Sequence, residues 1–459
     1  MSQEINPSVF RQIENKIDSM CAANKIVGAS IGITSDNDLI WTYNFGYSDF
    51  NSQTRPDENT IYRIASITKT FTSTSIFQLR DKNKLDLDDP ITKYIPEFKK
   101  ADASPTSIEE VTIRRLLCHH SGIIAEAPSN EPYWTIKKIP DVDNILANIP
   151  SIKIVAEQDT IFKYSNLGFV LLGEVISRIS GIKYQDYVTN SILIPLGMRS
   201  TVFNLDNSLK NRFATGYQSS KDSSIINPVE DEDLRGYVAA GQLYSTIKDL
   251  SKWTSLQFDS DQNNQSSKQI IGYRSLREMQ RPTIMDNQWT TGYCLPWIAR
   301  KISDEIVLRH TGFTYGFRAD LSFVPKQRLG VIVLSNTVPE LPPLTNLILE
   351  HILNSQAPLK DNENITDTTV IQKELLGLYS GELGLTLKVE YINSSLQVNL
   401  VDDTALGFAP GPLTKTSKAD IFVANQGRWF GEQIKFLRNK DGFVYALDLG
   451  PFRFTMDKK

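Results

Sequence analysis

Residues 62–79 constrain this chain more than any other stretch. Ile64, Ile67, Phe71, Ile76, Phe77 and Leu79 are its apolar positions, and Ser66, Thr68, Thr70, Thr72, Ser73, Thr74 and Ser75 crowd the places between them. Small hydroxyl and β-branched residues are mediocre helix formers. A helix of this make-up is expected where it is buried and closely packed, at the centre of a domain. The same stretch sets Ser66 and Lys69 three positions apart. On a helix such residues share a face, so hydroxyl and amine can meet. A partly desolvated amine beside a serine is one of the known ways to activate that nucleophile. The first turn of a helix also leaves backbone N–H groups unpaired, in positive potential, where an oxyanion could be held. S-x-x-K spacing alone is cheap; a helix that has to be buried around it points to a nucleophile.

With 459 residues the chain is too long for one ordinary domain, and two are expected. Forty-nine Lys and Arg against fifty-three Asp and Glu leave a net charge of −4, without a long basic run, which argues against a nucleic-acid partner. Residues 1–24 are polar and charged, with no apolar core of a signal peptide. No apolar window reaches the roughly twenty residues of a membrane span. Cys21, Cys118 and Cys294 are few and widely spaced, which suits a reducing compartment better than a disulfide framework. A cytoplasmic location is expected from these features.

Helical periodicity over residues 8–24 is followed by strand-like alternation at residues 27–34, turn residues at 35–38 and a returning strand at 39–47. Residues 109–119 read as a helix running into His119-His120-Ser121-Gly122. Adjacent histidines do not face one point on a helix, and no further ligand spacing completes a zinc set; a structural or supporting role is expected, with no metal or other cofactor. Tyr164-Ser165-Asn166 precedes an apolar helical run, with Asn166 placed to cap it. Residues 259–268 read as a polar loop. Residues 306–312 form a strand closed by Gly312, and residues 321–324 and 330–336 make a second hairpin-like pair. Strands at both ends of a long helical middle predict one antiparallel sheet assembled from N- and C-terminal pieces, with helices packed on it and a helical subdomain: an α/β (α+β) design. Residues 356–369 are a polar linker. Beyond it, residues 370–459 alternate in short strands, predicting a small all-β sandwich or barrel without a catalytic set, packed beside the site or mediating contacts.

Three motifs stand in order: Ser66-x-x-Lys69, Tyr164-x-Asn166 and His310-Thr311-Gly312. Together with the sheet–helices–sheet plan they resemble the serine β-lactamase/penicillin-binding protein superfamily, in particular its class C-related branch of esterases, D-amino-acid peptidases and acyltransferases. Residues 116–122 and 241–246 are similar to recurrent segments of that branch, and the resemblance covers roughly residues 10–355. It implies that Ser66 attacks a carbonyl while Lys69 and Tyr164 share the proton traffic, with either one as the base. It also implies that Asn166 orients the acyl side chain beside Thr311 and Gly312, and that the backbone N–H groups of Ser66 and Phe313 hold the oxyanion.

One departure bears on the substrate. His310 stands where β-lactamases and transpeptidases usually carry lysine, and histidine is only partly charged near neutral pH. The expectation is therefore a hydrolase acting on small acyl esters or short or D-amino-acid peptides through a Ser66 acyl-enzyme. The alternatives are a β-lactamase or penicillin-binding carboxypeptidase, an acyltransferase, and a non-catalytic ligand-binding homologue. The expected partner is a small-molecule or peptide substrate, and the sequence leaves the oligomeric state open.

Overall fold

The computed structural model describes residues 7–104, 106–129, 133–134, 138–219, 226–258, 270–286, 289–302, 305–337, 344–354, 374–381, 385–392, 395–401, 411–416, 418, 420–424, 429 and 432–457. The expected linker at 356–369 and the polar loop at 259–268 lie outside them.

The first hairpin pairs β1 (Gly28–Ser35) with β2 (Asp38–Gly46). The remaining strands of the same sheet come from late in the chain: β3 (Ile284–Met285), β4 (Thr291–Tyr293), β5 (Ile298–Ile302), β6 (Glu305–Thr314), β7 (Phe317–Val324) and β8 (Leu329–Ser335). Their order is β2-β1-β8-β7-β6-β5-β4-β3, antiparallel throughout. The N-terminal strand thus closes on the last one, with Ala29 opposite Ser335 and Ser35 opposite Leu329. This is the sheet of N- and C-terminal pieces that the sequence predicts.

Strands β7 and β8 are buried along their whole length, because helices cover both faces. Helix α1 (Pro7–Ala23) and a late helix (Leu344–Asn354) pack Ile13, Ile17, Ile348 and Leu349 against Val331 and Val333 on one face. Ile332 and Leu334 point the other way, into the larger core of the helical middle. At its centre lies α2 (Thr68–Asp81), buried from Thr68 to Leu79. Several of its hydroxyls are bonded within the core. Thr74 and Ser75 donate back to the carbonyls of Thr70 and Phe71 at 2.9 Å, and Thr72 Oγ1 donates to Ala239 O at 2.7 Å. Trp253 donates its ring N–H to Thr70 Oγ1 at 3.1 Å and stacks on Phe71 with ring centres 3.9 Å apart. Packing, not propensity, holds this helix.

Three local expectations change. The helix expected over 109–119 is a 3₁₀ turn (Ile108–Glu110) and a short helix (Ile113–Leu117), because the Thr112 side chain caps a fresh start by accepting from Arg115 N–H. His119 lies beyond the helix with φ +60°. The cap of α3 (Asn166–Ser180) is Ser165, whose Oγ accepts from Gly168 N–H at 2.9 Å, so Asn166 is released for other work. Strand β6 does not stop at Gly312 but continues to Thr314.

The C-terminal strands close into an antiparallel barrel of eight, from β9 (Gly377–Gly381) to β16 (Phe452–Met456), with Tyr379 of β9 opposite Met456 of β16. Leu387, Val398, Ile434, Phe436, Leu447 and Phe454 fill it. Among the described residues no helix is long and apolar enough to cross a membrane.

Candidate active site

Ser66 sits in a 3₁₀ turn (Ala65–Ile67) that enters α2. Ala65 before it is held at φ +43°, a left-handed backbone that costs energy for a residue with a Cβ and marks an over-determined turn. What determines it is β6. A Cβ at Gly312 would stand 2.1 Å from Ile64 O, so the strand backbone lies directly against the turn, and only glycine permits that approach. Gly312 therefore serves to bring Thr311 and Phe313 beside Ser66 and does not itself face the pocket.

Lys69 is fully buried. Its Nζ donates to Asn166 Oδ1 and to Ala240 O, each at 2.7 Å, and stands 3.0 Å from Ser66 Oγ. With two hydrogens directed at fixed oxygens, the third tetrahedral position of the amine points at the serine. The same nitrogen lies 5.0 Å from the centre of the Tyr164 ring.

Asn166 and Tyr164 are held from behind. Asn166 Nδ2 donates to Glu126 Oε1 at 2.7 Å. With Nδ2 engaged there, the amide turns its oxygen toward Lys69. Glu126 is 3% exposed. The residue-by-residue reading of the sequence passed it over, although a lone carboxylate in the run Ile123-Ile124-Ala125-Glu126-Ala127 was a usable signal. Tyr164 stacks on His119 with ring centres 4.2 Å apart, and His119 Nδ1 accepts from Ser165 N–H at 3.1 Å. His120 Nδ1 bonds Cys118 O at 2.7 Å, and burial lowers its pKa. The histidine pair therefore supports the tyrosine loop, and among the described residues no group of His, Cys, Asp and Glu is arranged to hold a metal.

His310 lies on β6 with its ring in the pocket wall. Its Nδ1–H donates to Thr311 O at 2.8 Å. Burial, reinforced by the positive charge of Lys69, pushes its pKa down to about 3, so the imidazole is neutral. Phe313 follows, with the Arg318 guanidinium 4.4 Å over its ring.

These groups converge on one pocket, open to solvent and lined by Ser66, Tyr164, Asn166, His310, Thr311 and Phe313 from the predicted set. Aromatic rings make up much of the remaining wall, including Phe162, Tyr293, Trp297 and Tyr315. Cys118 and Cys294 also border it as thiols; burial pushes the Cys118 pKa up to about 12, which leaves it unreactive. One wall residue, Phe452, comes from the barrel. The barrel is tied to the site again by Glu432, which pairs with buried Lys163 at 2.5 Å and accepts from Ala125 N–H at 3.0 Å.

The chain is similar to Protein flp of Staphylococcus aureus (strain MRSA252), 28% identical over 349 residues; the match spans 75% of this chain and 66% of that protein. It is also similar to Beta-lactamase-like protein 2 of Dictyostelium discoideum, 27% identical over 86% of this chain and 73% of that one. Among solved structures, the octameric penicillin-binding protein homologue from Pyrococcus abyssi superposes with a TM-score of 0.66 at 23% identity, over 97% of this chain and 99% of that one. A class C β-lactamase from Rhodobacter sphaeroides superposes with a TM-score of 0.63 at 19% identity, over 75% of this chain and 99% of its own. The barrel thus lies within the reach of the first likeness, whereas the second stops at three quarters of the chain. The Beta-lactamase family model matches residues 13–351, which contain the turn, the helix and the strand that build the site, and the chain belongs to that family.

Proposed function

We propose that this chain is a serine hydrolase that cleaves an ester or amide through an acyl-enzyme on Ser66. The observation that carries the reading is the Lys69 amine, buried, bonded to two fixed oxygens and 3.0 Å from Ser66 Oγ. In this reading the Ser66 O–H proton passes to the Lys69/Tyr164 pair as Oγ bonds to the substrate carbonyl carbon. The oxyanion is met by the backbone N–H groups of Ser66 and Phe313, which Gly312 brings together. Tyr164, beside the Lys69 charge, returns a proton to the leaving alcohol or amine as its bond to carbon breaks. Water then attacks the acyl carbon and loses its proton to the Lys69/Tyr164 pair, which returns a proton to Ser66 Oγ as its bond to the acyl carbon breaks.

A second reading, a β-lactam- or D-alanyl-peptide-directed enzyme, draws on the similarity to a class C β-lactamase. Neutral His310 weighs against it, since it offers a substrate carboxylate no fixed positive charge at that position.

Intact-mass spectrometry after brief exposure to an activated short-chain ester and to a penicillin, with wild type beside Ser66→Ala, tests both. A mass gain with the ester that fades with time and is lost in Ser66→Ala is the expected result. A lasting gain with penicillin favours the second reading. No gain with either agent overturns the acyl-enzyme.

A further inference from the structure

We propose that the C-terminal barrel completes the substrate pocket, and that its Phe452, together with Trp134, seats an aromatic or similarly large uncharged group of the substrate. The inference rests on the hydrolase reading above and adds the class of substrate to it.

Trp134 belongs to the helical middle and Phe452 opens the last barrel strand, β16. Both line the pocket that contains Ser66. Their rings are parallel, 3° between planes, with centres 6.1 Å apart, so they form one continuous offset surface across two parts of the chain. Each ring is fixed from behind. Tyr315 donates its hydroxyl to Trp134 O, and Tyr237 packs on the indole with centres 5.0 Å apart. Phe452 meets the buried Trp429 edge-on, centres 6.0 Å apart. Gly450, at φ +54°, leaves room for Trp429; a Cβ there would stand 2.5 Å from that ring. A surface so braced is preorganised to receive a flat apolar group.

The charge pattern points the same way. Among the described residues, no Lys, Arg, Asp or Glu lines this pocket. A carboxylate on the substrate would lose its hydration against a wall that no described cation lines, whereas an aromatic ring gains from leaving water. The barrel is also held in place relative to the catalytic loop. Glu432 binds Lys163, next to Tyr164, and Ala125 N–H, next to Glu126. Phe452 therefore stands at a set position in the wall of the pocket that Ser66 also lines.

The test uses the full chain and four esters: methyl acetate, methyl phenylacetate, benzyl acetate and methyl hydrogen malonate. Wild type should prefer at least one aromatic ester over methyl acetate by about tenfold in kcat/KM, and should turn over the malonate poorly. Phe452→Ala should erase most of that preference, by loss on the aromatic esters. Phe452→Leu, which keeps the strand's apolar volume, should fall between the two and guards against a folding defect in the alanine variant. Equal losses on all four esters, or no loss on any, would overturn the proposal. A gain on methyl acetate without loss on the aromatic esters would also overturn it, since Phe452 would then be an obstruction. Benzyl alcohol binding to Ser66→Ala, followed by indole fluorescence, separates this from the chemistry. If binding requires Phe452 while no ester is hydrolysed, the hydrolase reading fails and the aromatic seat stands.

Discussion

Lys69 and Asn166, 97 positions apart in the chain, meet at 2.7 Å, and Glu126 helps to hold the Asn166 amide with its oxygen toward Lys69 by accepting from the other end. Three residues from three segments thus settle the orientation of one amine at one serine. Glu126→Gln removes the group that fixes the amide, since a glutamine can satisfy either orientation of Asn166. The expected outcome is a fall in kcat of about tenfold with KM little changed, in line with the loss of one hydrogen bond to a charged group. Steady-state kinetics on any turned-over ester, alongside the melting temperature, checks it. A KM effect with unchanged kcat would remove Glu126 from the lysine network.

Gly312→Ala places a methyl group where Ile64 O already stands, 2.1 Å from the new Cβ. Neither backbone can yield without moving Ser66 or Phe313. The expected loss in kcat/KM is about a hundredfold or more, the size of losing an oxyanion donor, in a protein that still shows its helical and strand circular dichroism. Unaltered kinetics would mean that β6 and the nucleophile turn are not coupled.

Glu432→Gln leaves Lys163 buried without its carboxylate. Breaking a buried pair in this way costs on the order of 3 kcal/mol, and the Lys163 side chain is 0% exposed against 14% for Glu432. Urea denaturation should show a lower midpoint, and Lys163→Met combined with Glu432→Leu should recover much of the difference. If the single substitution leaves the midpoint in place, the barrel is not anchored through this pair.

His310 gives a pH dependence whose sign follows from its environment. In the folded chain its pKa is pushed down to about 3, whereas an unfolded histidine titrates near about 6.5. As pH falls below about 6.5 the unfolded chain takes up a proton that the folded site refuses, so stability is full above that pH and declines toward pH 3. His120, also lowered by burial, acts in the same direction. His310→Gln should therefore flatten, without abolishing, the fall in urea midpoint between pH 7.5 and 5. Parallel profiles for the two proteins would mean that His310 is solvated and charged in the fold.

Which features were legible in the chain follows from how local their causes are. The helix that follows Ser66 announced itself because only burial makes sense of Thr68, Thr70, Thr72 and Thr74 between Ile67, Phe71 and Phe77. The split sheet and the β-rich C-terminal part followed from period-two alternation, which is written residue by residue. Expectations failed where neighbouring residues compete for one backbone group. Ser165 and Asn166 are both good caps, and only the path of the chain decided that Ser165 would bond Gly168 N–H and leave Asn166 to Lys69. Thr112 likewise interrupted a periodic run that read as one helix.

By itself, then, the sequence determined the Ser66–Lys69 spacing and the architecture, because spacing and periodicity are local quantities, whereas Tyr164 and His310 stood out only by resemblance to a family's motifs. Tertiary structure alone decided that Glu126 stands behind Asn166, that His310 is neutral, and that Phe452 and Glu432 of the barrel reach the site. Each of these depends on desolvation or on contacts between segments far apart in the chain, and both exist only once the chain has closed on itself.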